Sequence, residues 1–169
     1  MMASGKPDAF DRAAPALEAV TETLFRLGDE PGTGSALKVV NQMLAGIHIA
    51  AAAEAVTFGI SPGIEPATVQ DVISKCAGTS WMFENRVPHI VDGDYTPHSA
   101  VDIFVKDLGI DLDAGRSMTF PLPLAATAHQ QFLAASAGGH GRENDSAVIK
   151  VFQKLAGIDL PEAKDAKDD

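Results

Sequence analysis

The hydrophobic positions of this chain fall into stretches with helical spacing, and hardly any stretch alternates with the period of a strand. From Ser35 to about Phe58, Leu37, Val40, Leu44, Ile47 and Ala51 recur at three- and four-residue steps, while Met43, Ile49 and Ala50 to Ala53 fill the remaining faces. A helix apolar nearly all round is normally buried, and at ~1.5 Å per residue this one would reach ~36 Å. It is expected to be the central pillar of a bundle. Shorter helices are predicted for Asp8 to Val20, with Pro15 inside, for Pro66 to Ala77 before Gly78, and for Ser80 to about Val87, where Pro88 should stop it. Ser99 or Asp102 should open another to about Met118, across Gly109 and Gly115. Two more are expected: Leu124 to Ala137, closed by Gly138-Gly139, and a last one from Asn144 or Asp145, a good N-cap, to Leu155 before Gly157.

Near the start, Thr23-Leu24-Phe25-Arg26 reads as a lone strand-like tetrad. A strand without neighbours leaves its backbone groups unpaired, so this tetrad and the helix before it suggest a cut through a larger fold. Leu27 to Gly34, dense in Gly and Pro, is the candidate domain boundary. The expected organisation is therefore residues 1–30 as a remnant of another domain plus hinge, 31–157 as a helical domain, and 158–169 as a charged tail, frayed from Pro161.

Composition narrows the function classes. The 169 residues suffice for one domain, and the 46% hydrophobic content supports a sizeable core. Thirteen basic against 23 acidic residues give a net charge of −10, which disfavours nucleic acid and anionic membrane as partners. The single cysteine, Cys76, cannot form an intrachain disulfide, and no Cys/His cluster has zinc spacing, so no metal is expected. With no signal-peptide pattern at the start and no run of ~18 apolar residues, the expected location is the cytoplasm.

Chemistry concentrates on the long helix. Lys38, Asn41 and Gln42 stand at i, i+3 and i+4 and share one face. If that face is desolvated, the lysine is pushed toward proton transfer near neutrality, and the amides can orient a hydroxyl or carbonyl. If instead Lys38 snorkels to solvent, the three are an ordinary polar rim. Gly32-Thr33-Gly34 lacks the third glycine of a dinucleotide fingerprint and reads as a hinge. Lys106-Asp107 alone reads as a surface pair of little value to stability. The scattered histidines suggest no metal site, and His48 reads as a core histidine. Ser35, Ser80, Ser99 and Ser146 are read as caps rather than nucleophiles, while Trp81 and Phe83 are read as core or interface anchors.

The segments Gly32 to Gln42, Ala77 to Arg86, Phe104 to Gly109 and Asp145 to Val148 together resemble, in order, the β-hydroxyacid dehydrogenase family, which includes 3-hydroxyisobutyrate and tartronate semialdehyde dehydrogenases. The likeness covers essentially residues 1–157 and leans toward the branch acting on four-carbon acid sugars such as L-threonate. It implies an all-α domain like the C-terminal domain of 6-phosphogluconate dehydrogenase, with a long central helix, preceded by a short remnant of a Rossmann domain. It also implies Lys38 as catalytic acid/base, Asn41 and Gln42 as substrate-binding and Lys106 as cofactor-binding. NAD is the implied cofactor, with NADP not excluded, and a homo-oligomer is the implied assembly. The family's second asparagine is replaced by Gln42, which suits a more hydroxylated substrate. The glycine-rich opening and the serine-glycine substrate loop are absent, so the chain alone is expected to be inactive. A substrate of the 3-hydroxyisobutyrate or tartronate semialdehyde type, or a non-catalytic helical dimerisation module, remain open readings.

Overall fold

The computed structural model describes residues 1–163. The chain divides into two compact units, Met1–Gln42 and Met43 onward, and each is described by itself.

The first unit is a small α/β arrangement. Strand β1 (Met2–Ala3), helix α1 (Pro7–Val20) and strand β2 (Phe25–Arg26) are followed by the start of the long helix α2 (Thr33–Ile60). The strands pair in parallel, Met2 with Phe25 and Ala3 with Arg26. The tetrad expected to stand alone thus has a partner, formed from residues too few for any period to show. Parallel strands need a crossover, and α1 is that crossover. The chain is therefore mostly helical, with one short strand pair ahead of the helical unit. Phe10 of α1 is buried, with the Arg26 guanidinium 4.8 Å above its ring. Gly32 has φ +108°, a conformation that suits glycine, and starts the turn into α2. Gly34 is buried, and a Cβ placed on it would lie 3.0 Å from the Met2 carbonyl oxygen and the Ala3 Cα. The glycine-rich segment is thus a close backbone approach between helix and strand, more than a hinge.

The second unit is a helical bundle around one core. Its elements are the rest of α2, α3 (Pro66–Ile73), α4 (Trp81–Asp92), α5 (Val101–Ser117), α6 (Pro123–Ala135) and α7 (Ile149–Ala156). A π turn (Ser136–His140) and a 3₁₀ turn (Asp145–Val148) lie between the last two helices. The core joins Ile49, Ala53 and Val56 of α2 to Phe83, Val87 and Ile90 of α4, Phe104 and Leu108 of α5, Phe132 of α6, and Val148 and Ile149. Phe104 and Phe132 stack at 5.2 Å. Gly46 lets α2 approach α5, because a Cβ there would meet Phe104 and Leu108 at 2.9–3.0 Å.

The all-round apolar helix is less buried than its pattern suggests. Leu37, Val40, Leu44 and Phe58 are exposed, and in its most apolar 18-residue window only 39% is buried. By length and composition α2 could cross a membrane, contrary to the expectation that no run would reach that size; its many alanines carry it past the threshold. The same length and composition also serve a core helix, and the buried stretch from Ile49 to Thr57 is packed in protein.

Pro88 does not end α4. The helix continues to Asp92 and stops at Gly93, whose φ is +65°. An internal proline removes a backbone bond at roughly 3 kcal/mol, while continuing the helix buries Ile90, worth ~1.5–3 kcal/mol. Ser80 caps α4 as expected, accepting from the Phe83 N–H at 3.0 Å. Other capping expectations are corrected. Neither Ser99 nor Asp102 caps α5, which starts after Ala100, and Asn144 rather than Ser146 caps the 3₁₀ turn. Ser146 is buried, and among the described residues its hydroxyl has no hydrogen-bond partner. Trp81 is not a core anchor, being 69% exposed, whereas Phe83 is buried. The expectation of a frayed charged tail falls mostly on residues 164–169, outside the described ones.

Two buried acidic groups have opposite fates. Asp145 is wholly buried and receives Arg86 in a bidentate pair, Nε to Oδ1 at 2.5 Å and Nη2 to Oδ2 at 3.2 Å. This ties α4 to the 3₁₀ turn. Asp111, on the core-facing stripe of α5, is 2% exposed, and neither carboxylate oxygen has a hydrogen-bond partner among the described residues. Burial first, and the nearby Asp107 charge second, push its carboxyl up to about 6. Between the ordinary carboxylate range and pH 6 the folded state holds a proton that the unfolded state has lost. Stability therefore falls as pH rises through that window, by an amount on the order of 3 kcal/mol. Asp111→Val should raise the urea midpoint at pH 7 and abolish this difference between pH 4 and 7; an unchanged difference would mean that other groups cause it.

Candidate active site

The first unit brings three of the sequence-selected residues together. On α2, the Lys38 ammonium donates to the Gln42 Oε1, and the Asn41 side-chain amide donates to the same oxygen at 3.0 Å. The i, i+4 spacing alone accounts for the first contact. Lys38 and Asn41 also line a cleft of about 490 Å³ with Met1, Met2 and Phe25. Its floor is the strand pair, held close to α2 by Gly34, whose N–H donates to the Ser4 hydroxyl at 3.1 Å.

Lys38 is exposed, so of the two readings of that helix face the solvent-facing lysine is the one observed. The reason is positional. Lys38 lies in the second turn of α2, in the part of the helix that belongs to the small first unit, whereas the core begins near Ile49. What acts on its ammonium is the amide oxygen beside it.

Lys106 lies in the second unit, on α5, and its Nζ is 3.0 Å from the Asp107 Oδ1. The lysine is 66% exposed, but the aspartate only 13%, so Asp107 is not the surface residue expected. The pair leaves the Lys106 ammonium open to a phosphate or another polar edge of a dinucleotide. The described residues offer that cation but no glycine-rich phosphate cradle on the dinucleotide pattern.

His48 is half-buried and lines a second cleft, of about 370 Å³, with Ile73, Thr79, Ser80 and Phe83. It is not a core histidine. Sequence reasoning also missed the convergence of two donors on one Gln42 oxygen. The spacing of Lys38 and Gln42 was a signal for it, but the direction of the Asn41 amide had none.

Residues 32–152 match the family described as NAD-binding of NADP-dependent 3-hydroxyisobutyrate dehydrogenase. The chain is 57% identical over 164 residues to the L-threonate dehydrogenase of Escherichia coli K12, covering 97% of this chain and 53% of that protein. It is 58% identical over 161 residues to the L-threonate dehydrogenase of Cupriavidus necator, covering 95% and 53%. A crystal structure of 3-hydroxyisobutyrate dehydrogenase from Salmonella typhimurium superposes with a TM-score of 0.86 at 56% identity, over 89% of this chain and 53% of that one. The chain thus spans about half the length of the curated relatives it matches. With a family model covering most of the chain and several relatives above half identity, the chain belongs to the 3-hydroxyisobutyrate dehydrogenase-related family.

Proposed function

We propose that this chain is the C-terminal half of an NAD(P)-dependent dehydrogenase that oxidises a hydroxyl of a four-carbon hydroxy acid, L-threonate first among candidates, with Lys38 as acid/base. The observation that carries the proposal is the Lys38 ammonium held beside Asn41 at the edge of a cleft large enough for such an acid. The identity to L-threonate dehydrogenases supports the substrate class. In this reading, neutral Lys38 takes the hydroxyl proton onto Nζ as that carbon becomes a carbonyl, and Asn41 orients the reacting oxygen. Bound NAD(P)⁺ supplies the acceptor for the hydride. Lys106 would hold the cofactor through its exposed ammonium, kept in place by Asp107. The second unit serves as a helical domain of the 6-phosphogluconate dehydrogenase C-terminal type. Residues 1–30 are the end of the dinucleotide-binding domain.

Self-association also belongs to the proposal. Phe58, Ile64 and Val72 are exposed around an apolar cleft of about 330 Å³ that also takes in Ala55 and Pro62. Exposed apolar groups so close together favour a covered face.

The direct test is NAD(P)H formation by the complete enzyme with L-threonate, 3-hydroxyisobutyrate and D-glycerate compared at equal concentration. The expected result is the highest kcat/KM with L-threonate. Preference for a three-carbon or branched acid would move the assignment within the family, and reduction with no hydroxy acid at any pH would leave the non-catalytic helical module as the reading.

A further inference from the structure

Helix α5 turns one buried stripe toward the core, made of Val101, Phe104, Leu108, Asp111 and Gly115. Asp111 is the odd member, an acid whose two carboxylate oxygens have no hydrogen-bond partner among the described residues. One turn further on, at the end of the stripe, the chain folds back over Gly115 through residues 118–122. The Leu122 side chain lies against Gly115, where a Cβ would come within 2.7 Å of it. The Phe120 N–H donates to the Gly115 carbonyl at 2.8 Å, and the Met118 N–H is shared between the Ala114 and Gly115 carbonyls at 3.2 Å. This corner is under strain and poorly covered. Thr119 has φ +55°, the left-handed region that β-branched residues rarely adopt, and Met118 and Phe120 are exposed. We propose that residues 118–122 form a flap over the Gly115 end of the stripe, held down while Asp111 carries a proton and lifted when that proton is lost.

The balance follows from what each state does with the carboxyl. Protonated, Asp111 is a neutral group that burial penalises little; ionised, it is a buried anion, and water admitted through the lifted corner relieves it. Among the described residues no cation offsets that charge. On α5 itself, Asp107 stands one turn earlier and adds a like charge, Lys106 holds Asp107, and Arg116 pairs with Asp113 on the exposed side. On the elements packed against α5, His129 of α6 bonds the Val105 carbonyl, His140 of the π turn bonds Glu143, and Asp145 of the 3₁₀ turn is held by Arg86. His48 and Glu54 of α2 line clefts formed with α3, α4 and α6. Burial first, and Asp107 second, raise the carboxyl to about 6 with the flap down, whereas hydration in the lifted state returns it to the ordinary range. The closed corner is thus favoured most below the ordinary carboxylate range and loses that advantage as pH rises through 6. Between pH 5 and pH 7 the lifted fraction should grow about tenfold. Lifting also frees Thr119 from the left-handed region, so the strain favours opening at every pH. The device does not depend on Lys38.

The test is amide hydrogen exchange of the complete enzyme at pH 5 and pH 7, each rate divided by that of the unfolded chain at the same pH. The expected result is a gain of about tenfold across residues 112–122, absent from α4 and abolished in Asp111→Asn. Asp111→Leu, neutral and apolar, should abolish it equally and serves where the asparagine variant does not fold. Thr119→Gly, which removes the strain, should slow exchange of the corner at both pH values and leave the pH response in place. No response in the parent, or the same response in the neutral variants, would overturn the role of Asp111. A response spread evenly over every helix of the unit would overturn the flap, because the proton would then act on the whole fold.

Discussion

In the complete enzyme, Lys38→Ala is expected to lower turnover by about 10²–10⁴, the scale on which a positioned general acid/base contributes. The loss should appear in kcat and kcat/KM together, because an interaction made in the transition state is removed while Asn41 and the cleft remain. Lys38→Arg should not restore activity, since a guanidinium keeps its proton throughout the working range. Circular dichroism of the variant should match the parent, as Lys38 is exposed and its side chain bonds to the neighbouring turn of the same helix. Turnover within twofold of the parent would make Lys38 a structural residue and remove the centre of the proposed mechanism.

Asp145→Ala is expected to destabilise the helical unit by about 3–5 kcal/mol, because it leaves the Arg86 guanidinium buried without its anion. For a chain of this size that corresponds to a fall of roughly 10 °C in melting temperature. Arg86→Met alone should cost about as much, now through an unpaired carboxylate. The double variant should recover a large part of the loss, since two apolar groups leave no orphaned charge. Urea denaturation of the four proteins closes the cycle. A single-variant loss below about 1 kcal/mol would place the pair with surface ion pairs, whose contribution is of that size, despite its burial. Neither partner lines the candidate cleft at Lys38, so activity per folded molecule should be retained.

The sequence was informative where a pattern repeats. The long helix, the helix beginning near Val101 and the cap at Asn144 follow from spacing and from residues whose side chains can bond only locally. The strand at Met2–Ala3 was illegible, because two residues have no period and their pairing depends on Phe25 and Arg26 more than twenty positions away. Pro88 misled because a local penalty was weighed without the burial of Ile90 that offsets it. At the candidate site, spacing put Lys38, Asn41 and Gln42 on one face, but how wet that face is depends on which part of the helix the core covers. Asp111 and the Arg86–Asp145 pair could not be foreseen, since a charged residue's burial and partner are set by distant segments.

The contact of Gly34 with β1 bears on how this scaffold could be re-engineered for other acids. Gly34 stands one turn before Lys38, so any side chain there would push the start of α2 off the Met2–Ala3 backbone by a few tenths of an ångström and carry the lysine with it. Reacting groups tolerate little misplacement; ~1 Å can cost about 10²-fold in rate. Libraries aimed at new substrates should therefore vary the cleft wall at Met2 and Phe25 and leave position 34 untouched, where even alanine changes the reach of the base rather than the shape of the pocket.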